Sequence, residues 1–214
     1  MHPPHTSREK MGNIGITTLS LLFGAMMFLL SSPAFGQTRT LLNTDELHSG
    51  LFGGPQVYWT TFNGESGLLV GGSGAWVINR TFYLGGGGFG LTSRHEGPAL
   101  EGYDSAPRLG LEYGGLLFGF ILKNDDLLHL TADLMIGGGT VSNQVEVNGE
   151  WERHGAEGFW HVQPLVHAEV NVTEWLRIAL SGGVRYVGDL NSFGVDGGDA
   201  SGPVMGLTFR IGAW

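Results

Sequence analysis

The chain has 214 residues, 11 basic and 20 acidic side chains, a formal net charge of −9, 38 glycines and no cysteine. That balance excludes nucleic acid as a partner, and the missing thiols exclude both a disulfide framework and a lipoprotein anchor. Only 14% of residues are charged, against about 25% in an average soluble protein.

The N-terminus carries Arg8 and Lys10 ahead of an apolar run from Ile16 to Leu30, closed by Ser31-Ser32-Pro33-Ala34-Phe35-Gly36. Basic flank, apolar middle and small closing residues are the three parts of a secretory signal peptide, so residues 1–36 are expected to be cleaved before Gln37. The run is shorter than the roughly 20 residues a spanning helix needs. Residues 37–50 are polar, lack strand pattern and read as a tail in the periplasm.

Residues 51–214 read as eight strands. They run from Leu51 to Phe62, Gly67 to Ile78, Thr81 to Ser93, Pro107 to Leu122, Leu127 to Val141, Gly158 to Asn171, Trp175 to Val187 and Gly202 to Ala213. Each exceeds the roughly 9 to 11 residues a tilted strand needs to cross a bilayer. Connections at Asn79-Arg80, Lys123 to Asp126 and Val172 to Glu174 are tight, whereas Arg94 to Ala106, Ser142 to Glu157 and Gly188 to Ser201 are long. Short and long connections therefore fall at opposite ends, as in bacterial barrels. Asn63 to Ser66 is the short exception at the long-loop end.

Alternation is cleanest in the sixth and seventh strands, where odd positions hold His161, Gln163, His167, Glu169, Asn171, Arg177, Ser181 and Arg185 among mainly apolar even positions. A turn centred on Thr173 sets Glu169 opposite Arg177 and His161 opposite Arg185. A two-residue turn at Asn124-Asp125 sets Leu116 against Asp133 and Phe120 against His129. The polar face is rich in small residues and poor in lysine, which suits a narrow filled lumen. Trp160, Tyr186 and Tyr113 on the apolar face suit an interfacial girdle. The fold expected is an all-β, eight-stranded antiparallel up-and-down transmembrane β-barrel. A secreted lipocalin-like barrel would reverse the faces and hold an apolar ligand inside.

Trp214 ends the chain at the close of a strand and looks like the terminal aromatic that the outer-membrane assembly machinery reads. The stretches Gly85 to Gly90, Glu169 to Arg177 and Ser201 to Arg210 resemble an uncharacterised family of small bacterial outer-membrane β-barrel proteins. The resemblance implies a fold and a location in the outer membrane of Gram-negative cells. It brings no activity with it.

The lumen face is expected to bring Glu112, Asp133 and Glu169 against Arg108, Arg177, Arg185 and Arg210, with His129, His161, Gln163 and His167 as further polar groups. Charges out of water must be paired and hydrogen-bonded, so this reads as an interior ion-pair network filling a narrow barrel. A lipid-modifying enzyme is the sharper alternative. His129, Thr131 and Asp133 share one face, but neighbours two apart along a strand converge poorly. The long loops are acidic, with Glu96, Glu101 and Asp104, then Glu146, Glu150, Glu152 and Glu157, then Asp189, Asp196 and Asp199, and read as a solvated rim. Asp196 and Asp199 fall short of the roughly six to eight ligands calcium takes, and no metal or cofactor is expected. The partners expected are outer-membrane lipids, lipopolysaccharide and the assembly machinery, with a structural or surface-interaction role.

Overall fold

A computed structural model of the chain describes residues 49–98, 107–122, 126–147 and 150–214. The signal peptide, most of the expected tail, the turn at Asn124-Asp125 and the loop carboxylates Glu101 and Asp104 lie outside these residues. The elements are β1 (Ser49–Phe62), β2 (Glu65–Ile78), β3 (Phe82–Leu91), β4 (Arg108–Leu122), β5 (Leu128–Val147), β6 (Glu150–Asn171), β7 (Leu176–Gly188), the short pair β8 (Asn191–Ser192) and β9 (Val195–Asp196), one helical turn α1 (Gly197–Ala200), and β10 (Gly202–Ala213). The eight long strands form a closed antiparallel barrel in which β10 pairs with both β7 and β1.

Local chemistry fixes the hairpins. Asn63 and Gly64 both take positive φ between Phe62 and Glu65, the backbone of a two-residue primed turn that twists with its strands. Phe193 and Gly194 repeat it between β8 and β9. Asn79 and Arg80 take positive φ at the opposite end.

Large exposed apolar side chains ring the barrel, Leu51, Trp59, Trp76, Phe82, Leu116, Phe118, Leu130, Val166, Leu180 and Met205 among them. Inside, β6, β7 and β10 contribute polar groups, whereas β2, β3 and β4 contribute Leu69, Val77, Phe89, Leu111, Leu117 and Ile121. The interior is thus half polar and half apolar rather than polar throughout. An apolar wall can back a polar one only where the polar groups find one another across the lumen.

Two sequence expectations are corrected here. The connection expected at Ser142 to Glu157 is instead a continuation of β5 and β6, with a register shift between Ser142 and Gln144. Its charged residues resemble loop composition, but a ribbon beyond the apolar belt can carry charge on its wetted face. The β4–β5 register also differs. Gly119 stands opposite Asp133 and Leu116 opposite Ile136, an odd offset from the expected pairing, and an odd slip turns every side chain to the other face. Tyr113 is consequently buried inside, not part of an outer girdle. Between β6 and β7 the slip is even, with Glu169 opposite Ala179 and His161 opposite Val187, so facing is preserved.

Glycine makes room for the largest interior rings. A Cβ on Gly119 would overlap the Tyr83 ring, whereas one on Gly182, on the outer face of β7, would meet nothing within 4 Å. Gly119→Val is expected to lose the folded, SDS-resistant band on unheated gels, since forced overpacking costs about 1–3 kcal/mol or more. Gly182→Val is expected to keep it.

Candidate functional site

The strand period aims alternate residues of β5, β6, β7 and β10 into the barrel, and near the turn end these side chains form one connected cluster. Arg210 is its centre. Its guanidinium pairs with Glu169, reaches Asp133 Oδ2 at 3.4 Å, and donates to the Tyr83 hydroxyl at 3.1 Å. Tyr83 in turn donates to Asp133 Oδ2 at 2.9 Å. On the far side of Glu169, His129 Nε2 lies 3.0 Å from Oε2, and Arg177 approaches the same oxygen at 3.9 Å. The Arg177 guanidinium lies 3.4 Å over the Trp214 ring, which stacks on Phe52.

A second chain of hydrogen bonds climbs from this cluster. His167 Nε2 sits 2.9 Å from Asp133 Oδ2, and its Nδ1 sits 2.7 Å from Ser181 Oγ. Ser181 continues to Thr208 at 2.8 Å, Thr208 to Tyr58 at 2.8 Å, and Tyr58 donates to Gln56 at 3.0 Å. Gln56 donates to Ser73 at 2.6 Å. Ser181, His167 and Asp133 have the connectivity of a nucleophile, base and orienter. All three are buried, and Ser181 is engaged by a second hydroxyl. No substrate carbonyl could reach Ser181 without dismantling the interior, so the relay satisfies buried polar groups rather than presenting a nucleophile.

Higher in the lumen, Arg185 Nε donates to the Ala200 carbonyl at 2.9 Å, and its guanidinium lies over Tyr113. His161 stands edge-on to the same ring at 4.8 Å, and Tyr113 donates to Gln163 Oε1 at 2.8 Å. Helix α1 lies over this end. Asp196 accepts from the Gly198 and Asp199 amides, and Asp199 accepts from the Asp196 amide, so the two carboxylates close a capping box. Among the described residues no cluster has the makings of a metal site.

Of the residues expected in the lumen, Asp133, Glu169, Arg177, Arg185, Arg210, His129, His161, Gln163 and His167 are buried inside the barrel. Glu112 and Arg108 are not. Glu112 is 62% exposed and pairs with Arg153 at 3.3 Å, while Arg108 bonds Gln144 and lies 3.8 Å over the Trp151 ring. Both sit on even positions of β4 near the loop end, turned outward by the register correction above. Sequence reasoning missed Tyr58, Tyr83, Ser181 and Thr208 as network members. Their strand parity matched the interior, but which hydroxyls meet across a lumen is set by barrel closure. Trp214, read as an assembly signal, folds its ring over the interior at the turn end.

No family model matches the sequence, and no curated protein does. Among solved structures the fold is similar to Neisserial surface protein A, with a TM-score of 0.53 at 11% identity over 78% of this chain and 99% of that one. The N-terminal β-barrel domain of Pseudomonas aeruginosa OprF aligns with a TM-score of 0.42 at 10% identity, over 77% of this chain and 96% of that one. Ail, the attachment invasion locus protein of Yersinia pestis, aligns in its complex with the heparin analogue sucrose octasulfate with a TM-score of 0.43 at 13% identity, over 76% and 97%. The last two add no weight at those scores. At such identities the likeness is one of architecture, and the chain has the fold of the small eight-stranded outer-membrane β-barrels.

Proposed function

We propose that this protein is an exported outer-membrane barrel with an occluded lumen, whose role is structural or one of surface interaction through its acidic loop end. The observation that carries this reading is the facing of the closed ring: the exposed belt is apolar, and Asp133, Glu169, Arg177, Arg185 and Arg210 are inside. A lipocalin-like barrel needs the opposite arrangement. Lipid is the solvent in which such an outer surface is favourable, and a closed ring is the sheet form with no unpaired edge. Arg210, Glu169, His167, Tyr58 and Phe62 are fully buried, which favours a plugged interior over a conducting pore, as an eight-stranded barrel has room for side chains and little more. Export through residues 1–36, handling by the outer-membrane assembly machinery with Trp214 as its signal, and contact with lipopolysaccharide at the loop end belong to the same reading.

Cell fractionation with heated and unheated gels tests it: an outer-membrane band whose mobility changes on boiling is expected. Recovery as a soluble periplasmic protein would overturn the reading. In planar bilayers the purified barrel is expected to give no stepwise conductance.

The interior cluster should act as a stabiliser. Arg210→Leu leaves Glu169 and Asp133 buried without their principal cation and is expected to cost about 3–5 kcal/mol, read from urea unfolding in lipid vesicles by tryptophan fluorescence. Adding Glu169→Gln and Asp133→Asn to that variant is expected to restore much of the loss. A fluorophosphonate probe is expected to leave Ser181 unlabelled in the folded barrel; stoichiometric labelling abolished by Ser181→Ala would instead establish a reactive serine.

A further inference from the structure

The basic residues of the loop end are Arg94, Arg108 and Arg153. All three lie on one flank of the barrel, from β3 to β6, within an otherwise acidic rim. Arg153 is matched by Glu112. Arg94, which is exposed, and Arg108 have no carboxylate partner within salt-bridge distance among the described residues. The acidic residue nearest Arg94 in sequence is Glu96, whose backbone bridges to Arg108.

These two arginines flank an opening in the wall. The β3–β4 ladder is regular up to Gly90, opposite Glu112, and contact resumes at Glu96, opposite Arg108, so residues 91–95 stand against residues 109–111. The excess segment leans on β2, with the Thr92 amide donating to Leu68 O at 2.8 Å and the Leu68 amide to Ser93 Oγ at 3.1 Å. A cleft of about 340 Å³ is left, lined by Thr92, Ser93, Arg94, Arg108 and Gln144. It shares Gly90 and Glu112 with a shallow groove of about 640 Å³ that descends the outer wall over Gly88, Gly138 and Thr140. Gly88, Gly114 and Gly138 are register partners across β3, β4 and β5, and Gly138 pairs with Trp160, an exposed outer-face aromatic. The groove therefore follows a wall of glycines and ends at the cleft lined by Arg94 and Arg108, which have no carboxylate within salt-bridge distance among the described residues.

We propose that this flank binds one lipopolysaccharide molecule of the outer leaflet, with a lipid A phosphate between Arg94 and Arg108 and an acyl chain laid along the glycine wall. The inference rests on the outer-membrane reading above and adds the site and its ligand. Charge complementarity selects the occupant. An acidic protein end repels a phosphorylated leaflet everywhere except where its cations are collected, and guanidinium forks match phosphate oxygens. The glycines remove side chains at the depth where acyl chains begin, and the stack on Trp151 and the bond to Gln144 hold the Arg108 fork in place.

The test uses the barrel purified in detergent, with purified lipopolysaccharide as the probe and tryptophan fluorescence as the readout. Saturable binding is expected, weakened about tenfold, the worth of one charge-assisted hydrogen bond, when the probe is enzymatically dephosphorylated. Arg94→Gln with Arg108→Gln is expected to lose that phosphate dependence. Gly90→Leu, whose Cβ would meet nothing within 4 Å, is expected to weaken binding of both probes while keeping the preference for phosphate. Equal binding of intact and dephosphorylated probe would overturn the proposal. So would equal binding of phosphatidylglycerol vesicles, or a concentration-dependent dimer abolished by Gly90→Leu. If the unheated-gel shift and membrane fractionation hold while these arms fail, the site alone is wrong. If the protein fractionates as soluble, the outer-membrane reading falls with it.

Discussion

Pairing of backbone groups is the constraint on which this structure depends. In hydrocarbon an unpaired N–H or C=O costs several kcal/mol, so a sheet is viable there only as a closed ring. Closure is made by the first and last strands, β1 and β10, paired from Leu51 opposite Ala213 to Thr60 opposite Val204. The seam joins residues distant in sequence, and everything inside the lumen follows from it. Tyr58 can meet Thr208, and Arg210 can meet Tyr83, only once the ring is shut.

Closure then creates an electrostatic problem and its solution together. The turn-end half of the lumen holds Arg177 and Arg210 beside Glu169 and Asp133, out of water. A buried charge is tolerable when paired and hydrogen-bonded, and Arg210 meets both carboxylates while Tyr83 and His167 also bond Asp133 Oδ2 and His129 lies against Glu169 Oε2. Such a cluster holds the surrounding strands in one register, because a slip by one residue would turn its members into the apolar surroundings. Arg185 is treated differently, held by the Ala200 carbonyl of α1 and the Tyr113 ring, which ties the loop-end helix to the barrel wall.

The outside of the barrel divides by height. Large apolar groups make the belt, and charge returns only beyond it, in the extended β5–β6 ribbon and the loops. Arg108 and Glu112 belong to that upper zone, Glu112 paired with Arg153 and Arg108 stacked on Trp151. The same residues placed a few positions lower on β4 would fall within the apolar belt.

Much of this was legible in the sequence because a strand has a period of two. The alternation from Trp160 to Arg185 separated His161, Gln163, His167, Glu169, Arg177 and Arg185 from their apolar neighbours, and the short connections at Asn63 to Ser66 and at Asn79-Arg80 marked hairpins. Strand number and the all-β class followed from those local signals. What the sequence left open was decided by contacts between strands. In β4 both faces are largely apolar over much of the strand, with Leu116 and Phe118 outside and Leu117 and Ile121 inside, so alternation could not orient it, and pairing with β5 did. The Ser181 to Asp133 relay and the cluster around Arg210 join residues from different strands. A single strand specifies which side its residues face, whereas the angle and shear at which the ring closes determine which of them meet.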